Sequence, residues 1–222
     1  MVSTLTEIVC LVLKPGINIT GSSDAAKTWD ECVSLIQSQP GYIGSTYGPT
    51  MEDPLMYEWF IDWTSATSRE AFGRSPDFMP FKTRLESFNA SICCYHVPFN
   101  LAATIFTLNF PVVQLVTFFA VSPQMLSNVR EFITAIGRSD QCYGGVCGES
   151  LESNIRWSGD GRRGTVVALL IGWESKESHT AFEETDVYKE SIELLEEEGV
   201  AYKGQETVHV HFKMAIDFEG LI

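Results

Sequence analysis

An α+β fold is expected here: two tandem β-α-β-β-α-β repeats whose sheets pack into one α+β barrel. Three features of the chain point to it. The first is an ungapped internal match. Trp63, Ser65, Ser68, Ala71, Phe72 and Ser75 return at one constant offset as Trp173, Ser175, Ser178, Ala181, Phe182 and Thr185. The second is the local pattern at that match, where an apolar strand runs directly into a helical stretch. The third is apolar strand residues, such as Val116, Phe118, Ala120, Leu169 and Ile171, on a face that a unit's own helices leave bare. Two such faces bury each other when the sheets close. Fusion in one chain raises the effective concentration of that contact.

The elements follow in order. Ile8 to Leu13 is an apolar run stopped by Lys14-Pro-Gly16, a strand and a turn. Gly21-Ser-Ser-Asp24 offers capping side chains, and Ala25/Ala26, Trp29, Cys32/Val33 and Ile36 form one helical stripe that Pro40-Gly41 ends. Tyr42 to Tyr47 is a second strand. Residues 56–63 are a third, with Tyr57, Trp59, Ile61 and Trp63 on one face and Glu58, Phe60 and Asp62 on the other. A helical region from Ser65 to Phe88 is expected to break at Pro76 and Pro80, before a fourth strand at Ile92 to Val97.

That order defines a ferredoxin-like unit. The connector 98–111 is too apolar for a free linker and is expected to pack on the body. The second repeat begins with the strand Val112 to Val121. Ser122-Pro123 then reads as a helix start, and Met125/Leu126, Val129, Phe132/Ile133 and Ile136 as its stripe. A glycine-rich hairpin, Ser158 to Gly164, precedes the strand Thr165 to Trp173. Helices over roughly 175–199 and a strand from Thr207 to Met214 complete the copy. Residues 1–100 are thus a first repeat, and 101–222 a connector and second repeat.

Composition narrows the partners. The 222 residues are 45% hydrophobic and 20% charged, which suits a folded core. A formal charge of −14 without a basic cluster disfavours nucleic acid and anionic membranes. No leader or spanning segment is visible, so a cytoplasmic protein is expected. The six cysteines are then reduced, most of them as buried small hydrophobes, and the sequons at Asn18 and Asn89 carry no meaning.

With its strand-ending Trp63 or Trp173 and the Ser-x-x-Ser-x-x-Ala-Phe that follows, each repeat resembles the dimeric α+β barrel superfamily. That superfamily includes the antibiotic-biosynthesis-monooxygenase-like and stress-responsive A/B-barrel proteins. The resemblance implies a mostly apolar ligand cleft between a sheet and its own helices. Its haem-degrading branch carries a His about ten positions after the Trp. Gly73 and Glu183 stand there, so haem is not expected, and neither is any other cofactor or a metal.

Polar residues inside apolar strands are the catalytic candidates. Glu58 and Asp62 leave one strand face roughly 13 Å apart and could serve as general acid or base if buried. They align with Ala168 and Gly172, and this difference between the copies is the best sequence clue to a site. His209 and His211 alternate with apolar residues, and His96 occupies the corresponding strand of the first copy. Tyr47, Tyr57, Trp59 and Tyr95 are candidates to line a pocket for a flat substrate. His179 reads as a surface or helix-end residue. Walker, Rossmann and Gly-x-Ser-x-Gly signatures are absent.

The functional expectation is an enzyme acting on a hydrophobic small molecule of polyketide or terpenoid type without a cofactor. It would be a cyclase, isomerase or decarboxylase, with cofactor-free oxygenation of an electron-rich phenol as the second chemistry. A non-catalytic stress-responsive or ligand-carrying barrel is the alternative. The fused chain would be a pseudo-dimeric monomer or would pair again as a homodimer.

Overall fold

The computed structural model describes residues 4–137, 142–195 and 201–214. In chain order the elements are β1 (Leu5–Leu13), α1 (Asp24–Gln37), β2 (Tyr42–Pro49), β3 (Met56–Trp63), α2 (Ala66–Gly73), α3 (Phe78–Phe88) and β4 (Asn89–Val97). They continue with α4 (Leu101–Leu108), β5 (Val112–Phe119), α5 (Met125–Ile136), β6 (Gly145–Glu149), the short hairpin β7 (Ile155–Arg156) and β8 (Arg163–Gly164), and β9 (Val166–Trp173). Last come α6 (Lys176–Glu183), α7 (Asp186–Ile192), β10 (Gly204–Val210) and β11 (Lys213–Met214). The chain forms two compact units. The first runs to Cys94 and resumes at Lys213, and the second is Tyr95–Phe212.

Both units are ferredoxin-like. The first sheet has the order β11-β2-β3-β1-β4, and the second β10-β5-β9-β6. Their central registers correspond. Leu5 pairs with Trp63 and Glu7 with Ile61, just as Val112 pairs with Trp173 and Gln114 with Ile171. Glu7 and Gln114 are therefore equivalent positions. In the first unit Val9, Leu11, Trp59, Ile61 and Trp63 pack with Trp29, Phe72, Phe81 and Leu85 from the helices. In the second, Val116, Phe118, Leu169, Ile171 and Trp173 pack with Met125, Val129, Phe132 and Phe182. The other sheet face is also buried, as Ile8, Phe60, Val113 and Leu170 at 0% exposure show.

The repeated serines have a local purpose. The Ser65 hydroxyl accepts the Ser68 N–H, and Ser175 and Ser178 form a reciprocal capping box. Each satisfies amide donors that a helix start leaves open, so the strand can turn into its helix at once. The helix starts differ from expectation in two places. Pro76 separates α2 from α3, but Pro80 lies inside the first turn of α3, where a missing N–H costs nothing. The helix expected from Ser122-Pro123 begins at Met125 after a turn closed by Met125 N–H to the Ser122 carbonyl. The end expected for the last helix, Glu196 to Gly199, lies outside the described residues.

The connector folds as α4, which packs on β6 and β9 of the second unit. Its following residue Phe110 explains one contrast between the copies. A Cβ at Gly172 would overlap the Phe110 ring, so glycine is needed there to admit the connector. Gly172→Ala is expected to cost about 1–3 kcal/mol. In thermal unfolding, adding Phe110→Ala should remove most of that extra cost; additive losses would rule out the contact as its cause.

Candidate functional site

Each unit holds a cavity between its sheet and its own helices. The first encloses about 310 Å³ and is lined by Glu7, Trp59, Arg69, Phe78, Phe81 and Cys94 among others. The two-residue period of β1 turns Glu7 inward with Leu5, Val9 and Leu11, and the residue is 5% exposed. Trp63 and Arg69 donate to its carboxylate. The Trp63 indole N–H donates to Oε2 at 3.2 Å, and the Arg69 fork donates from Nε to Oε2 and from Nη2 to Oε1, both at 2.7 Å. The Arg69 guanidinium also lies 5.5 Å from the centre of the Phe78 ring. A buried charge is tolerable only when paired and hydrogen-bonded, and this pair satisfies both conditions.

The second cavity encloses about 190 Å³, with Gln114, Phe132, Trp173, Phe182, Tyr188 and Tyr202 in its wall. Gln114 Oε1 accepts the Trp173 indole N–H at 3.1 Å, as Glu7 does for Trp63. The repeat places His179 where Arg69 stands in the first copy. His179 Nδ1 is hydrogen-bonded to His209 Nε2 at 3.0 Å, its Nε2 lies 3.3 Å from Glu183 Oε1, and its ring lies 4.7 Å from that of Trp173. Burial, with the nearby His209 and Lys176, pushes the His179 pKa down to about 4. His179 is therefore neutral at neutral pH. Of the two readings the sequence offered, surface or helix-end residue, the surface one fails: His179 is 6% exposed, in the first turn of α6.

The sequence candidates are dispersed. Glu58 and Asp62, each 4% exposed, lie on the sheet face opposite the helices and line neither cavity. Asp62 accepts from the Thr6 hydroxyl at 2.6 Å, and burial pushes its pKa up to about 6. His96 is held by Glu152, which meets both its Nδ1 and its backbone N–H. Burial raises the Glu152 pKa, but its hydrogen bonds to His96 outweigh that and leave it lowered. His211 is exposed and its Nδ1 donates to the Pro111 carbonyl, whereas His209 joins His179. Trp59 lines the first cavity. Tyr47 packs edge-on to Trp29, Tyr57 is core, and the Tyr95 hydroxyl is 3.2 Å from that of Thr117. The cysteines are free thiols, but only Cys32 and Cys142 are buried, fewer than expected. Among the described residues no three His, Cys, Asp or Glu converge as a metal site.

Sequence reasoning missed Glu7, Arg69, Gln114 and His179. Starting the first strand at Ile8 left Glu7 outside it, although Leu5, Glu7, Val9 and Leu11 already alternate. Arg69 and His179 align in the repeat but differ in type, so identity between the copies does not mark them.

Asp62 and His179 titrate in one window with opposite signs. Asp62 binds its proton more readily folded, about 6 against the ordinary 3.8, so it adds stability as pH falls through that range. His179 binds its proton less readily folded, about 4 against 6.5, so it removes stability as pH falls from about 6.5 to about 4. Asp62→Asn should therefore stabilise the protein above pH 6, by up to about 3 kcal/mol, with the gain gone near pH 4. His179→Gln should flatten the acid loss instead. Urea unfolding from pH 4 to 8 checks both, and a pH-independent Asp62→Asn effect would contradict the assignment.

No family model and no curated protein matches the chain. Solved structures do. An anthrone oxidase-like protein superposes with TM-score 0.65 at 16% identity, over 97% of this chain and 94% of its own. A candidate monooxygenase from Lactobacillus acidophilus NCFM gives TM-score 0.58 at 9% identity, over 96% of both chains. Another, from Fusobacterium nucleatum subsp. nucleatum, gives 0.58 at 8%, over 96% and 94%. No helix among the described residues is long and apolar enough to cross a membrane. With the internal register correspondence, these likenesses give the chain a fold of two tandem ferredoxin-like units.

Proposed function

We propose that the chain oxygenates an electron-rich phenolic small molecule without a cofactor, in the cavity of the first unit. The observation that carries this is the Glu7–Arg69 pair in the wall of a cavity also bounded by Trp59, Phe78 and Phe81. At about 310 Å³ this cavity reaches the size of small-molecule sites, whereas the second, at about 190 Å³, falls below it. Aromatic walls suit a flat substrate.

The chemistry needs one proton acceptor and an electron-rich anion. Glu7 takes a proton from an activated CH₂ beside the phenolic ring, and Arg69 holds the oxyanion onto which the charge delocalises. The anion passes one electron to O₂, and the two radicals combine to a carbon-bound peroxide. Loss of water then leaves a carbonyl, so CH₂ and O₂ become C=O and H₂O, with the substrate as the reductant. Cyclisation, isomerisation or decarboxylation could use the same carboxylate. The anthrone oxidase-like and candidate monooxygenase names of the whole-chain structural neighbours favour oxygenation.

Anthrone under air is a direct probe. The protein is expected to consume O₂ and form anthraquinone in equal amounts, above the spontaneous rate. Glu7→Gln should lower kcat at least about 100-fold. It leaves Arg69 beside a neutral amide, so Glu7→Gln/Arg69→His, which installs the second unit's own combination, serves as a second variant. Asp62→Asn should leave turnover unchanged. Full activity in both Glu7 variants would remove the carboxylate from the mechanism, and binding without O₂ uptake would mark a carrier.

A further inference from the structure

We infer that the outward face of α4 is a self-association surface, through which two copies of this chain pair about a two-fold axis. The polarity of this helix is inverted. Thr104 and Thr107 are buried with Leu108, whereas Ala102 and Phe106 are exposed, Phe106 at 58%. The buried hydroxyls are satisfied within the helix: Thr104 donates to the Asn100 carbonyl and Thr107 to that of Ala103, both at 2.9 Å. Ala102, Ile105 and Phe106 stand three and four positions apart and so share the outer stripe. Phe110 extends it. Its ring meets Phe106 edge-on at 5.3 Å and stacks on Tyr143 at 4.8 Å, and Tyr143 is itself 41% exposed. A helix that buries threonines and presents contiguous aromatic rings to water is built as a contact surface.

Charge and shape select the occupant. From Ser87 to Val129 the chain has no Asp, Glu, Lys or Arg, while the whole carries −14. A basic partner is drawn to the acidic surface and gains nothing from a neutral patch. A second copy of the same acidic chain is repelled least where charge is absent. Glu174, hydrogen-bonded to the Tyr143 hydroxyl, supplies a polar rim. The stripe is also self-complementary. Ala102 and Phe106 are a small and a large residue one helical turn apart. Two α4 helices crossing antiparallel set each Phe106 over the Ala102 of the other copy, so one contact is made twice. The helix has only 8 residues, which places the interface at the small, weakly bound end of the range.

Sedimentation equilibrium of the full-length chain, at concentrations up to about 500 µM, tests the pairing. A monomer–dimer equilibrium is expected, with Kd on the order of 10–100 µM. It should tighten as NaCl is raised, because salt screens the repulsion between two acidic bodies and there is no ion pair to weaken. Phe106→Asp should raise Kd at least tenfold while melting near the wild-type temperature. Ala102→Phe, which fills the space opposite Phe106, should do the same. Ala102→Phe/Phe106→Ala exchanges the two residues and should restore Kd to within about threefold of wild type. Met79→Asp alters an equally exposed apolar residue of the first unit and should leave pairing unchanged. The inference is overturned if the wild type stays monomeric over this range or if Kd rises with salt. It is also overturned if either single α4 variant pairs as the wild type does, if the exchanged double variant does not recover, or if Met79→Asp dissociates the dimer. Binding of a monomeric wild type to phosphatidylcholine vesicles, lost in Phe106→Asp, would assign the patch to a lipid surface instead.

Discussion

Two indole N–H groups organise the sites. Trp63 and Trp173 end the third strand of each repeat and are 0% and 1% exposed. Each is a donor with no acceptor capacity, and the acceptor it meets lines its unit's cavity. The register delivers the acceptor from the first strand two residues along, as Glu7 in one unit and Gln114 in the other. Once that acceptor is chosen, much of the local chemistry follows. A carboxylate there requires a cation, and Arg69 supplies it from α2. An amide requires none, and the same repeat position is free to hold His179.

The consequences are energetic as well as chemical. A buried Arg–Glu pair adds little net stability over an apolar replacement, but removing one partner alone typically costs about 3–5 kcal/mol. The first unit therefore depends on both members of the pair. The second avoids that dependence with neutral groups: an amide on an indole, and one imidazole against another. Its cavity is also smaller. The duplicated units share one backbone scheme and differ in the polarity of the groups gathered at the buried indole.

The sequence made the strand-to-helix repeat legible because capping serines, the tryptophan and the Ala-Phe pair are all fixed by local geometry. Period-two alternation likewise placed Tyr57, Trp59, Ile61 and Trp63 correctly on the helix side of β3. Helix starts were less legible. Pro80 costs nothing in a first turn, and the turn from Ser122 delays α5 to Met125. The contrast of Asp62 with Gly172 drew attention as a mark of chemistry, yet Gly172 has a packing cause in Phe110. The polar groups at the cavities were hidden for another reason. Glu7 and Arg69 are 62 positions apart and His179 and His209 are 30 apart, so only folding pairs them.

The central claim is that Glu7 and Gln114 are the acceptors of these two indoles. Hydrogen exchange of the indole N–H groups, followed by ¹⁵N–¹H spectra, tests it most directly. Both signals should be strongly protected in the wild type. Glu7→Leu should release Trp63 alone, and Gln114→Leu should release Trp173 alone. If each indole keeps its protection when its own acceptor is removed, the account of how these cavities acquired their chemistry is wrong.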